Sequence, residues 1–169
     1  DKNDGIHFID PNEIEIDTKR DPILYGIYKN DLDNESIRLY GKKICYIQKT
    51  SYKGLVHSHI KDSSVCLEEG KIDEAYDYNN GLLLSSQIDA YFDKYDISFD
   101  SDGNVLINDY EIHDSDILCW MSNFKLDKKI LNPERLKYLE WHRNKFKEKA
   151  IKSKNDIDKF YNKEFNKKT

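Results

Sequence analysis

The sequence predicts an α+β fold, and three observations predict it. Residues 6–50 are rich in β-branched and aromatic residues, and the segment EIEID alternates isoleucine with acidic residues as a strand does. Between positions 84 and 95, apolar residues recur at three- and four-residue steps, which is the period of a helix. Finally, Asn132 followed by Pro133 is a typical start of a long helix. The chain therefore combines small antiparallel strands with separate helices.

Residues 1–44 are predicted to form a strand-rich N-terminal extension. The segments PILYGIYK and SIRLYG have strand composition, and KICYIQ continues it. The plausible turn positions are Gly26, Asn34 and Gly41. Next, GLVHSHI is predicted to be an apolar strand. The polar stretch 62–79 that follows has no clear period and is predicted to be a loop.

A short helix, a hairpin and C-terminal helices complete the prediction. The helix covers about residues 86–95, with Ser85 or Ser86 as its cap. The segment ISFDSDGNVLIND alternates around the turn SDGN, which favours a hairpin. The long helix then follows Asn132.

The composition excludes a fully disordered chain and a membrane span. Hydrophobic residues make up 38% of the 169 residues and charged residues 35%, which is enough apolar material for one modest core. No apolar run approaches the length that a membrane span needs, so we expect no membrane partner. The three cysteines are far apart and belong to no CxxC pair, which indicates a reducing, cytoplasmic compartment.

Charge is distributed unevenly along the chain. Residues 125–169 hold 15 lysine and arginine residues against 7 acidic residues, whereas residues 1–124 hold 12 against 25. Residues 149–169 are therefore predicted to be a basic helical tail, where Ser153 with Asp156 is a possible capping box for a second helix. Such a tail can follow a phosphate backbone, although a solvated lysine-rich helix is the commoner explanation of this composition.

Residues 54–107 hold the side chains that can carry chemistry. His59 ends a predicted strand, an Asn-Gly pair begins at Asn80, and Asp89 and Asp93 lie four positions apart on the predicted helix. Residues four apart lie on one face of a helix, so both carboxylates can point at the same ion. Hard oxygen ligands of this kind suit Mg²⁺ or Mn²⁺.

These residues lie in blocks that resemble a known family. The blocks are Ser58-His59-Ile60, Asn80-Gly81-Leu82-Leu83-Leu84 and Ile88-Asp89-Ala90-Tyr91-Phe92-Asp93. In order and spacing they are similar to the SHI, NGLLL and LDALFD blocks of an HNH endonuclease subfamily found in bacterial restriction and phage-defence nucleases. The similarity continues through ISFDSDGNVLI to LNPERLKYLEWHR, so an HNH nuclease domain is predicted at residues 45–148.

The resemblance implies a ββα-metal core with one divalent cation, Mg²⁺ or Mn²⁺. His59 matches the general base, which takes a proton from the water that attacks the phosphate, and an imidazole has a suitable pKa. Asn80 matches the position that braces the loop and orients the histidine; taken alone, it is a turn residue. Asp89 matches the last motif position and Asp93 a further ligand position one helical turn on.

One position departs from the common family pattern. Many HNH nucleases have a metal-binding Asp or His immediately before the base, and this chain has Ser58. A hydroxyl is a weak ligand, so water, a DNA phosphate or His57 would complete the coordination. His57 and His59 lie on the same face of a strand, which makes His57 a candidate metal ligand.

The predicted C-terminal helix carries further candidates. Arg143, Lys145 and Lys147 are candidate DNA-binding residues, although they could equally keep the helix soluble. His142 lies beside Trp141, which favours packing or a hydrogen bond to the core over catalysis.

The predicted function is a metal-dependent DNA endonuclease, in a restriction or phage-defence role. Each HNH core cuts one strand, so the resemblance implies a homodimer or a partner subunit. Two alternatives stay open. One is a DNA-binding or regulatory module that keeps the HNH scaffold without cutting, and the other is a nuclease subunit that acts only within a larger defence complex.

Overall fold

The computed structural model describes residues 19–168, which form six α-helices and four short strands. The helices are α1 Pro22–Tyr40, α2 Ser63–Glu68, α3 Ile72–Ala75, α4 Ser86–Asp93, α5 Ser115–Met121 and α6 Pro133–Asn166. The strands are β1 Val56–His59, β2 Gly81–Leu84, β3 Ile97–Phe99 and β4 Val105–Ile107. The strands pair antiparallel, β1 with β2 and β3 with β4. Helices with small antiparallel sheets confirm the predicted α+β class.

Helix α1 occupies the region where strands were predicted, so the strand-rich extension is wrong for residues 22–40. The Asp21 carboxylate caps the helix by accepting hydrogen bonds from two backbone N–H groups, and Pro22 takes the first helical position. Gly41 ends the helix in the left-handed conformation, with φ of 79°. These capping signals outweighed the strand propensity of the residues between them.

Burial explains why the apolar residues of this region suit a helix. Tyr28 and Leu32 are fully buried and lie four positions apart on the face that contacts β2. Residues 43–48, also predicted to extend the strands, form a turn next to β2, where the Tyr46 N–H donates to the Leu83 carbonyl. The predicted strand around EIEID lies outside the described residues.

A hairpin-like pair of strands and the helix that follows it form the centre of the fold. Strands β1 and β2 pair with His59 opposite Gly81. Helix α4 follows β2 directly and begins where predicted, because the Ser85 side chain accepts a hydrogen bond from the Ile88 N–H. The intervening stretch 62–79 was predicted to be a loop but contains helices α2 and α3. Both helices are short and have no regular apolar period, which is why the sequence did not reveal them.

The C-terminal half largely follows the prediction. Strands β3 and β4 form the predicted hairpin, and α6 begins at the predicted cap, where the Asn132 side chain accepts from the Arg135 N–H at 2.9 Å. The predicted second helix in the tail is wrong, because α6 continues to Asn166. Ser153 is buried inside it and donates to the Lys149 carbonyl one turn earlier. Within residues 19–168, no helix has both the length and the apolar character required to cross a membrane.

A buried ion pair joins the first and last long helices. Arg135 on α6 is fully buried and forms two hydrogen bonds, of 2.8 and 3.1 Å, with the carboxylate of Glu35 on α1. The same guanidinium donates to the Gly81 carbonyl at the start of β2 and to the Tyr78 carbonyl before it. The Tyr46 hydroxyl donates to Glu35 at 2.6 Å. This network satisfies both buried charges and fixes α1 and α6 against the β1–β2 pair.

Candidate active site

A cavity of about 240 Å³ lies where β1, α4 and the start of α1 meet. Four of the predicted residues line it: His57, His59, Asp89 and Asp93. Strand β1 contributes the two histidines and α4 contributes the two carboxylates. Histidines and carboxylates that lie thirty or more positions apart in the sequence thus surround one space, because β2 returns the chain from the end of β1 to the start of α4.

His59 is held so that one ring nitrogen remains available to accept a proton. Its Nε2 lies 2.8 Å from the Ala75 carbonyl oxygen. A carbonyl can only accept a hydrogen bond, so Nε2 carries the ring proton and Nδ1 carries the lone pair. The ring stacks on Tyr28 with a centroid distance of 4.4 Å. These contacts hold the imidazole in one orientation, with Nδ1 as the nitrogen that can accept a proton.

Burial, with a smaller effect of the nearby positive charge of Arg20, lowers the pKa of His59 to about 4, although the hydrogen bond to the Ala75 carbonyl opposes this shift. The imidazole is therefore neutral at pH 7. Burial also lowers the pKa of His142 to about 4, so this imidazole is neutral at pH 7 too. Two histidines that are neutral in the folded protein accept protons more readily once it unfolds.

This difference predicts how stability depends on pH. The folded-state pKa of both histidines is below the ordinary value of 6.5, so the unfolded chain binds more protons between about pH 6.5 and 4. We expect the free energy of unfolding, measured by urea denaturation, to fall by a few kcal/mol, roughly, from pH 7.5 to pH 5. A His59→Gln variant should show a weaker pH dependence. Equal stability at the two pH values would contradict the expectation.

Asn80 connects the end of β1 to the segment that supplies the carbonyl partner of His59. Its fully buried amide Nδ2 donates to the Lys61 carbonyl at 2.9 Å and to the Glu74 carbonyl at 3.0 Å, and its Oδ1 accepts from the Lys61 N–H at 2.7 Å. Glu74 immediately precedes Ala75, so this side chain holds the peptide segment against which His59 is oriented. These three hydrogen bonds satisfy both the Nδ2 and the Oδ1 atom of the buried Asn80 side chain.

Gly81 is required for close approach rather than for a turn. Asn80 ends a short 3₁₀ segment, and Gly81 begins β2 with an extended backbone, at φ of −142°. A Cβ at Gly81 would lie 2.5 Å from the hydroxyl oxygen of Tyr28 and 3.0 Å from a methyl group of Leu32. The absence of a side chain therefore lets α1 pack against β2 and brings Tyr28 onto the ring of His59.

Asp89 and Asp93 form a pair of hard oxygen donors on α4. Burial raises the pKa of Asp89, and the charge of Asp93 adds to this, whereas a hydrogen bond from Ser58 opposes it. Two carboxylates that repel one another are stabilised by a shared cation. Ser58, at the position of the missing strong ligand, lines the same cavity as Asp89.

The donor set fits a divalent cation that keeps much of its water. Within residues 19–168, no group of three or more His, Cys, Asp or Glu side chains is gathered closely enough to hold one ion. Mg²⁺ commonly binds proteins through one or two carboxylates and completes its coordination with water and substrate phosphate oxygens. Asp89 and Asp93 meet this minimal requirement.

His57 has a defined partner of its own. Its Nε2 lies 2.7 Å from Oδ1 of Asp33 on α1, and Lys43 lies 3.9 Å from the other oxygen of that carboxylate. If Nε2 donates to Asp33, only Nδ1 remains for a metal. Its role as a ligand stays a prediction.

The structure does not bring the three predicted DNA-binding residues of α6 into the cavity. Arg143 donates to the Phe99 carbonyl at 2.9 Å, Lys145 lies 3.6 Å from Glu148, and Lys147 is exposed. DNA contact by these residues stays a prediction. His142 is buried, stacks on Phe92 and bonds to the Phe92 carbonyl at 2.8 Å, which supports the structural role expected for it.

Sequence reasoning missed the cavity residues that α1 and α2 contribute. Arg20 and Tyr25 line the cavity from the start of α1, and Asp62 and Ser63 line it near the start of α2. None of them falls in the three blocks of the resemblance. The helix signals at Asp21, Pro22 and Gly41 were the sequence features that could have placed a helix beside the histidines.

Comparison with known proteins identifies the segment that carries the site. Residues 43–100 match a family model described as HNH endonuclease. This range includes β1, β2 and α4, and so includes both histidines and both carboxylates of the cavity. Helix α1 lies before the matched range. No curated protein matches the chain.

Proposed function

We propose, on the premise that residues 43–100 match the HNH endonuclease family, that the chain is a metal-dependent DNA endonuclease that hydrolyses phosphodiester bonds. The observation that carries the proposal is the arrangement of His59. Its Nε2 is occupied by the Ala75 carbonyl, so Nδ1 is unprotonated, and His59 lines a cavity that two carboxylates also line. A neutral base beside a pair of metal-type ligands suits hydrolysis by an activated water.

Each side chain of the site has a separate role in the proposed hydrolysis. His59 takes a proton from the attacking water at Nδ1, and Asn80 fixes the backbone that orients the imidazole. Asp89 and Asp93 would hold the cation, Mg²⁺ or Mn²⁺, within a ββα-metal core formed by β1, β2 and α4. When bound, a divalent cation stabilises the negative charge that develops on the phosphate and on the leaving oxygen.

The proposal also covers the substrate, the oligomeric assembly and the biological role of the protein. DNA is the substrate that the family suggests, and the lysine- and arginine-rich helix α6, with Arg143, Lys145 and Lys147, supplies further positive charge for its backbone. One cavity cuts one strand, so duplex cleavage requires a homodimer or a partner subunit. Restriction or phage defence, in the cytoplasm, is the role proposed for the activity.

Metal dependence can be tested by plasmid cleavage with Mg²⁺, Mn²⁺, Ca²⁺ or EDTA. We expect cleavage with at least one cation and none in EDTA. Asp89→Asn keeps the shape of the side chain but removes its charge, so we expect a loss of roughly 100-fold or more in cleavage rate. The matched control is Asp109→Asn, an exposed residue outside the cavity.

The possible outcomes separate the proposals. Equal cleavage in EDTA would contradict metal dependence, and equal rates for Asp89→Asn and wild type would remove Asp89 from the site. Calorimetry with Mn²⁺ provides a second measurement, in which Asp89→Asn should weaken binding and Asp109→Asn should not.

A second candidate is a non-cutting DNA-binding module on the same scaffold. It is favoured by the two-carboxylate donor set and by Ser58 at the position of a strong ligand. DNA binding without cleavage under every metal condition would support it. Cleavage only after addition of a partner protein would instead support a subunit of a larger defence complex.

A further inference from the structure

The described side chains that line the cavity are mostly acidic or neutral. Asp62, Asp89 and Asp93 supply three carboxylates, and His59 is neutral at pH 7. Among these described lining residues, Arg20 is the one permanently charged cation. The carboxylates repel a DNA phosphate that enters this space. A cation bound on α4 offsets this repulsion only on the α4 side of the cavity. Arg20 provides positive charge on the α1 side.

Two contacts with residues that the structure describes hold Arg20 in place. Its Nη2 donates to the Ser63 hydroxyl at 2.9 Å, and its guanidinium carbon lies 4.2 Å above the centre of the Tyr25 ring. A cation over an aromatic face is stabilised by the ring, and a stacked guanidinium loses less freedom when it binds a ligand. A guanidinium has five N–H donors, and within residues 19–168 Ser63 takes one of those of Arg20.

The same aromatic residue connects Arg20 to the candidate base. The Tyr25 ring lies 6.4 Å from the His59 ring, at an interplanar angle of 17°, and 5.9 Å from Tyr28. Arg20 and His59 are therefore held against one rigid stack at one wall of the cavity. The charge of Arg20 also lies close enough to lower the pKa of His59.

We propose that Arg20 binds a phosphate oxygen of the DNA backbone at the site of cleavage, with Tyr25 as its positioning residue. This inference rests on the proposed function. It assigns a substrate-binding role to a residue that precedes residues 43–100, the range that matches the family model. Arginine is suited to this role because its planar fork of donors matches the oxygens of a phosphate. Arg20 holds the phosphate group while His59 faces the attacking water.

The test measures DNA binding separately from cleavage. In a His59→Ala background, fluorescence anisotropy follows a labelled DNA duplex over a series of salt concentrations. We expect Arg20→Ala to weaken binding about tenfold and to lower the slope of log affinity against log salt by about 0.9, the value for one lost phosphate contact. Arg20→Lys should recover part of the affinity. Arg38→Ala, an exposed arginine at the other end of α1, serves as the matched control and should change neither quantity by as much.

A positioning role for Tyr25 gives a second readout. Tyr25→Phe keeps the ring beneath the guanidinium and should retain the salt slope, whereas Tyr25→Leu should reduce it as Arg20→Ala does. Unchanged affinity and slope in Arg20→Ala, or an equal change in Arg38→Ala, would overturn the inference even if the wild type cleaves DNA. Arg20-dependent binding by a chain that never cleaves would support the inference and contradict only the proposed hydrolysis. A chain that binds no DNA would overturn both.

Discussion

The His59→Ala variant should cleave DNA about 10²- to 10⁴-fold more slowly than the wild-type chain, the range typical for loss of a general base. The substitution removes Nδ1, the ring nitrogen left unprotonated by the hydrogen bond between Nε2 and the Ala75 carbonyl. Single-turnover cleavage of a plasmid, at the metal concentration that is optimal for wild type, measures the effect.

Two further variants make the result specific. His59→Gln retains a donor for the Ala75 carbonyl but has no basic nitrogen, so it should be as inactive as His59→Ala while staying closer to wild type in stability. His57→Ala tests the other histidine, which lines the same cavity but already pairs with Asp33 at 2.7 Å. We expect a smaller loss for His57→Ala. A larger loss there than for His59→Ala would reassign the base.

Replacing Arg135 with alanine should destabilise the fold by about 3 to 5 kcal/mol, because it leaves the Glu35 carboxylate buried without its partner. The carbonyl groups of Gly81, Tyr78 and Ile130 would also lose a donor. Urea unfolding at pH 7.5 measures the difference. The double variant Arg135→Met with Glu35→Gln removes both charges together and should recover part of the loss.

The exposed Arg38 provides the control for this experiment. Arg38→Ala should change the free energy of unfolding by no more than about 0.5 kcal/mol, as surface substitutions usually do. If Arg135→Ala also lowered the free energy of unfolding by no more than this amount, the buried pair would not be important for stability. A stable Arg135→Ala variant with weakened cleavage would instead indicate that the pair mainly positions Gly81, which lies opposite His59 in the β1–β2 register.

Local signals made several elements predictable. Ser85 and Asn132 cap α4 and α6 through hydrogen bonds to residues within three positions, so their effect can be recognised in a short stretch of sequence. The spacing of Asp89 and Asp93 likewise depends only on the helical period. Helix α1 also has local signals, in Asp21 and Gly41, but the strand propensity of the residues between them led to the wrong prediction.

By itself, the sequence determined the α+β class, the helix that carries the two carboxylates, and the resemblance that singled out His59 and Asn80. The tertiary structure alone decided which residues surround the histidine. Arg20 and Tyr25 reach the cavity because α1 packs on β2 through Tyr28 and the vacant side-chain position of Gly81. Arg135 and Glu35 meet across 100 positions of sequence. Such contacts depend on how distant elements pack together, and no short-range pattern of residues encodes that packing.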